Sequence, residues 1–271
     1  MKFAIFTYDM PHKKTSEFII RLVINNMKPS FVIAAPVKKL KIKRSKIRAY
    51  PNHIGVIDTK RLCRYFNIEY KVMEHNSEEL KNFVIENNIE LGIIGGARIL
   101  KKFIIDAFSK GILNLHPGLI PENRGLDTVV WAIKKWIPQG VTAHLIDEKV
   151  DLGKILNKYI IPIYSWDTII DIGLRISEFQ YHILVKEVSN IIKGNINFLN
   201  IKKLFPKNVP GDDSVDKFVL NNFERYKEYW AVDRNGYRCI CGEKLNIDDL
   251  TCPKCGRGYT LENFDVLKLV G

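Results

Sequence analysis

The sequence predicts an α/β protein with a mostly parallel sheet, helices on both faces, and a small cysteine-rich unit at its C-terminal end. Three observations predict it. Short apolar runs alternate with helically spaced segments through the first half of the chain. Two stretches of period-two alternation follow. Four of the five cysteines then crowd into the last part of the chain, at Cys239, Cys241, Cys252 and Cys255.

The elements follow in order. Phe3 to Tyr8 is an apolar run suited to a buried strand. Ser16 to Asn26 carries Phe18, Ile19, Leu22 and Val23 at helical spacing. Phe31 to Ala35 is a second buried strand, stopped by Pro36. Asp58 to Phe66 reads as a helix, and Ile68 to Val72 as a brief strand. Ser77 is a plausible N-cap for a helix to Asn87, with Leu80, Phe83 and Val84 on one face. Leu91 to Ile94 is a strand broken by Gly95-Gly96. Lys101 to Phe108 is a helix and Ile112 to Leu115 a strand. This alternation implies a Rossmann-like sheet, which binds ligands beyond the carboxyl ends of its strands. The residues just after each strand therefore matter most.

The texture changes at Gly140. Val141 to Leu145 and Lys158 to Ile163 alternate with period two and suit an antiparallel pair closing the domain. Thr168 to Ile192 is a long helix, capped by Ser165 or Asp167 and ended by Gly194. Residues 196–236 are polar, contain Pro206, Pro210 and Gly211-Asp212-Asp213, and read as a linker with one short helix, Val215 to Tyr229. The expected division is 1–195 for the main domain, 196–236 for the linker and 237–271 for the terminal unit.

Bulk properties narrow the classes. The chain has 271 residues, 46% hydrophobic and 27% charged, which fits a globular protein and excludes a disordered or fibrous one. A formal net charge of +12 suggests an anionic partner such as a nucleotide, nucleic acid or anionic lipid, and does not choose among them. No apolar run approaches the roughly 18 residues of a membrane span. The opening MKFAIFTYDM is too short and too soon polar for a signal peptide, so a cytoplasmic location is expected.

The segment with most chemistry reads NLHPGLIPENRG at 114–125, GVTAH at 140–144 and VDLGKIL at 150–156. Asn114 and His116 are two apart on a strand end, so their side chains point the same way. Pro117 and Gly118 then turn the chain. An amide beside an imidazole puts a hydrogen-bond donor and a proton carrier in one pocket. A carboxylate such as Asp151 can tune that imidazole or relay its proton. The same residues also suit a polar turn that only caps a strand. His144 shares a face with Thr142; it suits either the lining of an acceptor pocket or a half-buried histidine satisfied by a neighbour, and the second is preferred.

These motifs together resemble the N10-formyltetrahydrofolate-dependent formyltransferase family, over roughly residues 1–195. Its pattern is an Asn-x-His-Pro turn, a loop ending near Arg-Gly, a Gly-x-Thr-x-His strand and then Asp-x-Gly-x-Ile, all present in order. Gly95-Gly96-Ala97-Arg98-Ile99-Leu100 is similar to the family's folate loop. The resemblance implies that Asn114, His116 and Asp151 are catalytic. Asn114 and protonated His116 would stabilise the oxyanion formed when an amine attacks the formyl carbon, and Asp151 would help move the proton. It implies that the backbone around Arg98, Ile99 and Leu100 binds the folate, and that no metal takes part in the chemistry.

The resemblance leaves the acceptor among three branches. Glycinamide ribonucleotide enzymes carry a glycine-rich phosphate loop after the first strand, where this chain reads Thr7-Tyr8-Asp9-Met10-Pro11. Methionyl-tRNA enzymes carry a C-terminal barrel of roughly a hundred residues, longer than the tail here; the net charge keeps this branch second. The turn and Asn123-Arg124-Gly125 look most like the sugar N-formyltransferases. The expected activity is therefore formylation of a nucleotide-linked amino-deoxysugar carrying dTDP or UDP, on the way to surface glycans. The alternatives are a methionyl-tRNA formyltransferase and a non-catalytic RNA-binding zinc-ribbon protein.

Two features stand outside the motifs. The basic run Lys38, Lys39, Lys41, Lys43, Arg44, Lys46 and Arg48 lies near the ligand edge of the sheet; it suits attraction of a diphosphate or polynucleotide, and a solvated loop is the preferred reading. Cys239-x-Cys241 is followed after ten residues by Cys252-Pro-Lys-Cys255. Two tight pairs, each followed by a glycine, are the arrangement of a closed structural Zn²⁺ site with four thiolates. The pattern resembles a zinc ribbon, whose metal replaces a core that some 35 residues cannot build. Capping the main domain, joining two chains as a homodimer, and touching the acceptor or a nucleic acid are the roles open to it. Cys63 reads as an apolar filler.

Overall fold

A computed structural model describes residues 1–38, 45–47, 56–200 and 204–270. In chain order it contains β1 (Lys2–Tyr8), α1 (Lys13–Ile24), β2 (Phe31–Ala35), α2 (Thr59–Tyr65), β3 (Glu69–Val72), α3 (Glu78–Glu86), β4 (Ile89–Ile94), α4 (Lys102–Ile105) and β5 (Ile112–His116). There follow α5 (Thr128–Lys135), β6 (Gly140–Leu145), β7 (Lys154–Ile160), α6 (Ile169–Lys193), α7 (Asp213–Trp230), α8 (Val232–Asn235), β8 (Tyr259–Glu262) and β9 (Val266–Leu269). Among the described residues all the strands lie in a single sheet of order β3-β2-β1-β4-β5-β6-β7-β9-β8. The pairings from β3 through β5 are parallel, and those from β5 onward antiparallel.

Strand alternation sorts side chains between the two faces. Phe3 and Ile5 of β1 pack with Phe18, Ile19 and Leu22 of α1 and with the apolar stripe of α6. Ala4 and Phe6 pack on the other face with Leu80 and Val84 of α3 and Ile104 of α4. Four helices, α2, α3, α6 and α7, start on side-chain caps. Ser77 accepts from the Leu80 amide, and Thr168 and Asp171 form a reciprocal capping box at the start of α6. Cys63 is 1% exposed in the α1 face core, and burial pushes its thiol up to about 12, as suits an apolar filler.

Three local expectations shift. The helix expected at Lys101 to Phe108 is the single turn α4. β7 starts at Lys154, four residues before the expected Lys158. The third shift is larger. The stretch read as a linker folds onto the main core: α7 has 18 residues, and its stripe Val215, Val219, Phe223, Tyr226 and Trp230 is buried in the same cluster as α1 and α6. Each such side chain contributes about 1.5–3 kcal/mol when fully buried.

The terminal unit does not hang free. β9 pairs with β7 through Tyr159↔Lys268 and Ile160↔Leu267, so the β8–β9 hairpin extends the main sheet. Of the basic run, only Lys38 and Lys46 fall within the described residues; they pair with Glu74 and Asp213, both at 2.7 Å. Lys39, Lys41, Lys43, Arg44 and Arg48 lie outside the described residues. Among the described residues, no helix is long and apolar enough to cross a membrane.

Candidate active site

The sheet decides where Asn114 and His116 point. Ile112 belongs to the core under α3 and α4, whereas Leu113 and Leu115 belong to the opposite core. Asn114 and His116, in phase with Ile112, therefore emerge on the α3/α4 side. The antiparallel register places His144 directly beside Asn114 and Thr142 beside His116. The three elements of the site are thus the end of β5, the middle of β6 and the loop between β6 and β7.

The geometry is tight. Asn114 Nδ2 and His144 Nε2 are 3.1 Å apart. His116 Nε2 lies 2.9 Å from the carbonyl of Asn123, which obliges that nitrogen to carry the proton and donate it. Its Nδ1 faces Asp151 Oδ1 at 3.5 Å, and the same oxygen is 3.9 Å from His144 Nε2. Asp151 Oδ2 accepts from the Gly125 amide at 2.9 Å. One carboxylate oxygen thus faces two imidazoles while the other is fixed by the backbone. Asp151 sits at φ 52°, in the left-handed region that aspartate tolerates better than most residues.

His144 is fully buried, not half-buried. Burial, reinforced by the neighbouring His116, pushes it down to about 3, so it is neutral at pH 7. Its Nδ1 is buried without a partner among the described residues. A neutral imidazole with Nε2 next to Asn114 acts as a prop for that amide.

The motif spacings acquire physical reasons. A Cβ on Gly140 would meet Leu119 Cδ2 at 2.4 Å, so this glycine makes room for the turn after His116. Thr142 Oγ1 donates to the Gly118 carbonyl at 2.7 Å and accepts from the Ile120 amide at 3.0 Å, stapling the turn. A Cβ on Gly153 would lie 1.8 Å from the Leu145 carbonyl oxygen, so only glycine lets the chain fold back two residues after Asp151.

The 121–128 loop is built in from the other side. Asn123 donates to the Thr128 carbonyl at 2.8 Å and accepts from Asn208 at 2.7 Å. Arg124 binds the carbonyls of Val150 and Phe205. Lys135 holds the Glu122 carbonyl at 3.0 Å. Asn208 lies in the stretch read as a linker, and nothing in the local sequence marks it. Thr142 and His144 carried a signal, their shared face, but their contacts depend on a strand pairing that local pattern does not give. The sequence marked Asn123 only as part of the Asn123-Arg124-Gly125 stretch and gave its side chain no role of its own.

The loop expected to hold folate leaves β4 at the same edge of the sheet. Arg98 donates to the Pro36 carbonyl at 3.3 Å. Ile99 is two-thirds exposed and Leu100 is 3% exposed in the α3/α4 core. Asn76 pins the loop on both sides, donating to the Ile99 carbonyl and accepting from the Lys101 amide.

The four terminal cysteines converge. Their sulfurs lie within 4.8 Å of one another, with pairs at 3.5, 3.6 and 3.8 Å. Tetrahedral Zn–S bonds of about 2.3 Å imply S···S edges of about 3.8 Å, and disulfides are far shorter at about 2.05 Å. Cys239 and Cys252 are buried, Cys241 and Cys255 exposed. The donor set fits a closed four-thiolate metal site.

Comparison with known proteins bears on the family and the fold. The formyl transferase family profile matches residues 1–188. A phosphoribosylglycinamide formyltransferase from Haemophilus influenzae is 34% identical over 97 residues, 35% of this chain and 46% of that protein. A methionyl-tRNA formyltransferase from Borreliella burgdorferi is 31% identical over 119 residues, 43% and 38% of the two chains. The chain thus spans less than half the length of these two relatives. A sugar N-formyltransferase structure from Shewanella sp. FDAARGOS_354 shares the fold at a TM-score of 0.57, with 20% identity over 77% of this chain and 76% of that one. The match over residues 1–188, on a sheet that carries an Asn-x-His turn and an aspartate at one edge, shows that this chain belongs to the formyl transferase family.

Proposed function

We propose that this protein transfers the formyl group of N10-formyltetrahydrofolate to the amine of a dTDP- or UDP-linked amino-deoxysugar. The observation that carries the reaction is the convergence of Asn114, His116 and Asp151 within contact distances of 3.1–3.9 Å of one another or of His144. N10-formyltetrahydrofolate supplies an activated formyl carbon, and the Arg98–Leu100 loop holds it at the sheet edge. Asn114 directs its amide at the oxygen on which negative charge develops; one preorganised donor of this kind is worth about 3–4 kcal/mol. Neutral His144 orients that amide. His116, with Nε2 committed to Asn123, works through Nδ1. The Nδ1–Asp151 pair takes the proton that the attacking amine loses as its new bond to the formyl carbon forms, and returns that proton to the folate nitrogen as the bond from it to the formyl carbon breaks.

The β1–α1 turn, Asp9-Met10-Pro11-His12, has no glycine with which backbone amides could wrap a phosphate. That favours a sugar nucleotide over glycinamide ribonucleotide. The +12 charge keeps initiator methionyl-tRNA as the second reading. The four cysteines would hold Zn²⁺ as a structural ion, away from the chemistry.

The test is a mass-spectrometric transfer assay. Purified protein and N10-formyltetrahydrofolate are offered dTDP- and UDP-linked amino-deoxyhexoses, glycinamide ribonucleotide and methionyl-tRNA. A gain of one formyl group on a sugar nucleotide is expected. Transfer to tRNA alone, or to the ribonucleotide alone, refutes the acceptor assignment while leaving the reaction intact.

A further inference from the structure

The core of the cysteine unit is not its own. Leu119 and Ile160 of the main domain are buried in one cluster with Cys239, Cys252, Tyr259 and Leu267. Leu119 stands three residues after His116 and is fully buried. On one side it presses on Gly140, where even a Cβ would meet it at 2.4 Å. On the other it belongs to the buried cluster that includes Cys239 and Cys252, two of the four cysteines.

From Leu119 the connection to His116 is short. The Leu119 carbonyl accepts from the Asn123 amide at 2.6 Å, and the Asn123 carbonyl accepts from His116 Nε2 at 2.9 Å. The imidazole orientation is therefore set by a backbone loop whose starting point is wedged into the cysteine cluster. A unit of this size has little core of its own and depends on its metal for order. When the metal leaves, the wall against which Leu119 packs is lost.

We propose that Leu119 is a positioning residue through which the metal-bound cysteine unit holds the catalytic turn, so that metal occupancy sets the rate of formyl transfer. This rests on the formyltransferase reading for its kinetic consequence and on the structure alone for its mechanical one. The metal would act without touching substrate: it fixes Leu119, Leu119 fixes Asn123, and Asn123 fixes the imidazole that works with Asp151. Removing Zn²⁺, or oxidising its thiolates, would then slow turnover without weakening folate binding at the far loop.

The full chain is compared as Zn²⁺-loaded protein, as protein stripped by chelator under reducing conditions, and as Leu119→Ala and Leu119→Met. Four quantities are read: zinc per chain, kcat, KM for N10-formyltetrahydrofolate, and hydrogen exchange at the Ile120 and Asn123 amides. One zinc per chain is expected in the loaded protein and in both variants. Leu119→Ala should lower kcat at least tenfold, leave the folate KM within threefold, and speed Asn123 exchange at least tenfold. Leu119→Met should restore most of each, and stripping should reproduce the alanine variant. A chain that takes up no Zn²⁺, unchanged Asn123 exchange after stripping, or full kcat in Leu119→Ala overturns the proposal. The exchange arm reads the coupling even when no offered acceptor is formylated, which separates failure here from failure of the acceptor assignment.

Discussion

Replacing Asp151 by asparagine separates charge from shape at the centre of the site. The asparagine side chain has nearly the same volume, and its carbonyl can still accept from the Gly125 amide that Asp151 Oδ2 meets at 2.9 Å. Asparagine also tolerates the φ of 52° found here. The fold should survive, with a melting temperature within a few degrees of the parent. What disappears is a negative charge 3.5 Å from His116 Nδ1, between side chains only 4% and 13% exposed. At an effective dielectric of about 20, a unit positive charge on the imidazole would interact with that carboxylate by about 5 kcal/mol. The amide that replaces it still offers an oxygen dipole, and charge-assisted contacts are roughly twice as strong as neutral ones. About half the interaction is therefore lost, near 2.5 kcal/mol, a decrease in kcat on the order of 10². Steady-state formyl transfer followed by mass spectrometry measures it, with circular dichroism to verify the fold. A folded Asp151→Asn protein that turns over within threefold of the parent would refute the assignment of Asp151 to the proton path.

Two further outcomes follow from the same geometry. His144 is held near 3 in the folded protein against about 6.5 when unfolded, so below pH 6.5 the unfolded chain binds the proton and the folded chain does not. Stability must fall as pH drops from 6.5 toward 3, by up to about 1.4 kcal/mol per pH unit from this group; urea melts of parent and His144→Gln across that range should diverge with this slope, and parallel profiles would disprove it. Gly153→Ala places a Cβ 1.8 Å from the Leu145 carbonyl oxygen, a backbone atom that cannot swing away. A loss of about 3 kcal/mol is expected, together with a lowered kcat because the displaced loop carries Asp151; denaturation and turnover measured on one preparation check both.

What could be read from the sequence was what local periodicity controls. Asn114 and His116 share a face because a strand repeats every two residues, and that spacing is visible without any fold. The pairing of His144 with Asn114 is not visible in that way. It follows from the register of β5 against β6, a contact between residues thirty apart, and the same local pattern is compatible with another register. Burial of His144 follows from the same pairing, which is why a half-buried histidine was the natural expectation. The α7 stripe was present in the sequence at Val215, Val219, Phe223, Tyr226 and Trp230, but Pro206, Pro210 and Gly211 before it carry the composition of a connector. Asn208 left no trace, because a single polar side chain that bonds Asn123 has no period to betray it.

The docking of the cysteine unit belongs to the same class of long-range facts, and its cause can be stated physically. Without the hairpin, β7 would end the sheet with unpaired backbone groups at its apolar end, Tyr159 and Ile160, an edge prone to pair with other chains; the other end is already met by Leu199 at Ile155. A unit of some 35 residues meanwhile lacks the buried area to stand alone. The β9–β7 pairing removes the first problem, and the packing of Leu119 and Ile160 against Cys239, Cys252 and Leu267 relieves the second. Each part supplies the surface that the other lacks, and the contact falls on the turn that follows His116. A metal held there by four thiolates would bear on catalysis through packing alone, with no ligand position left open for substrate.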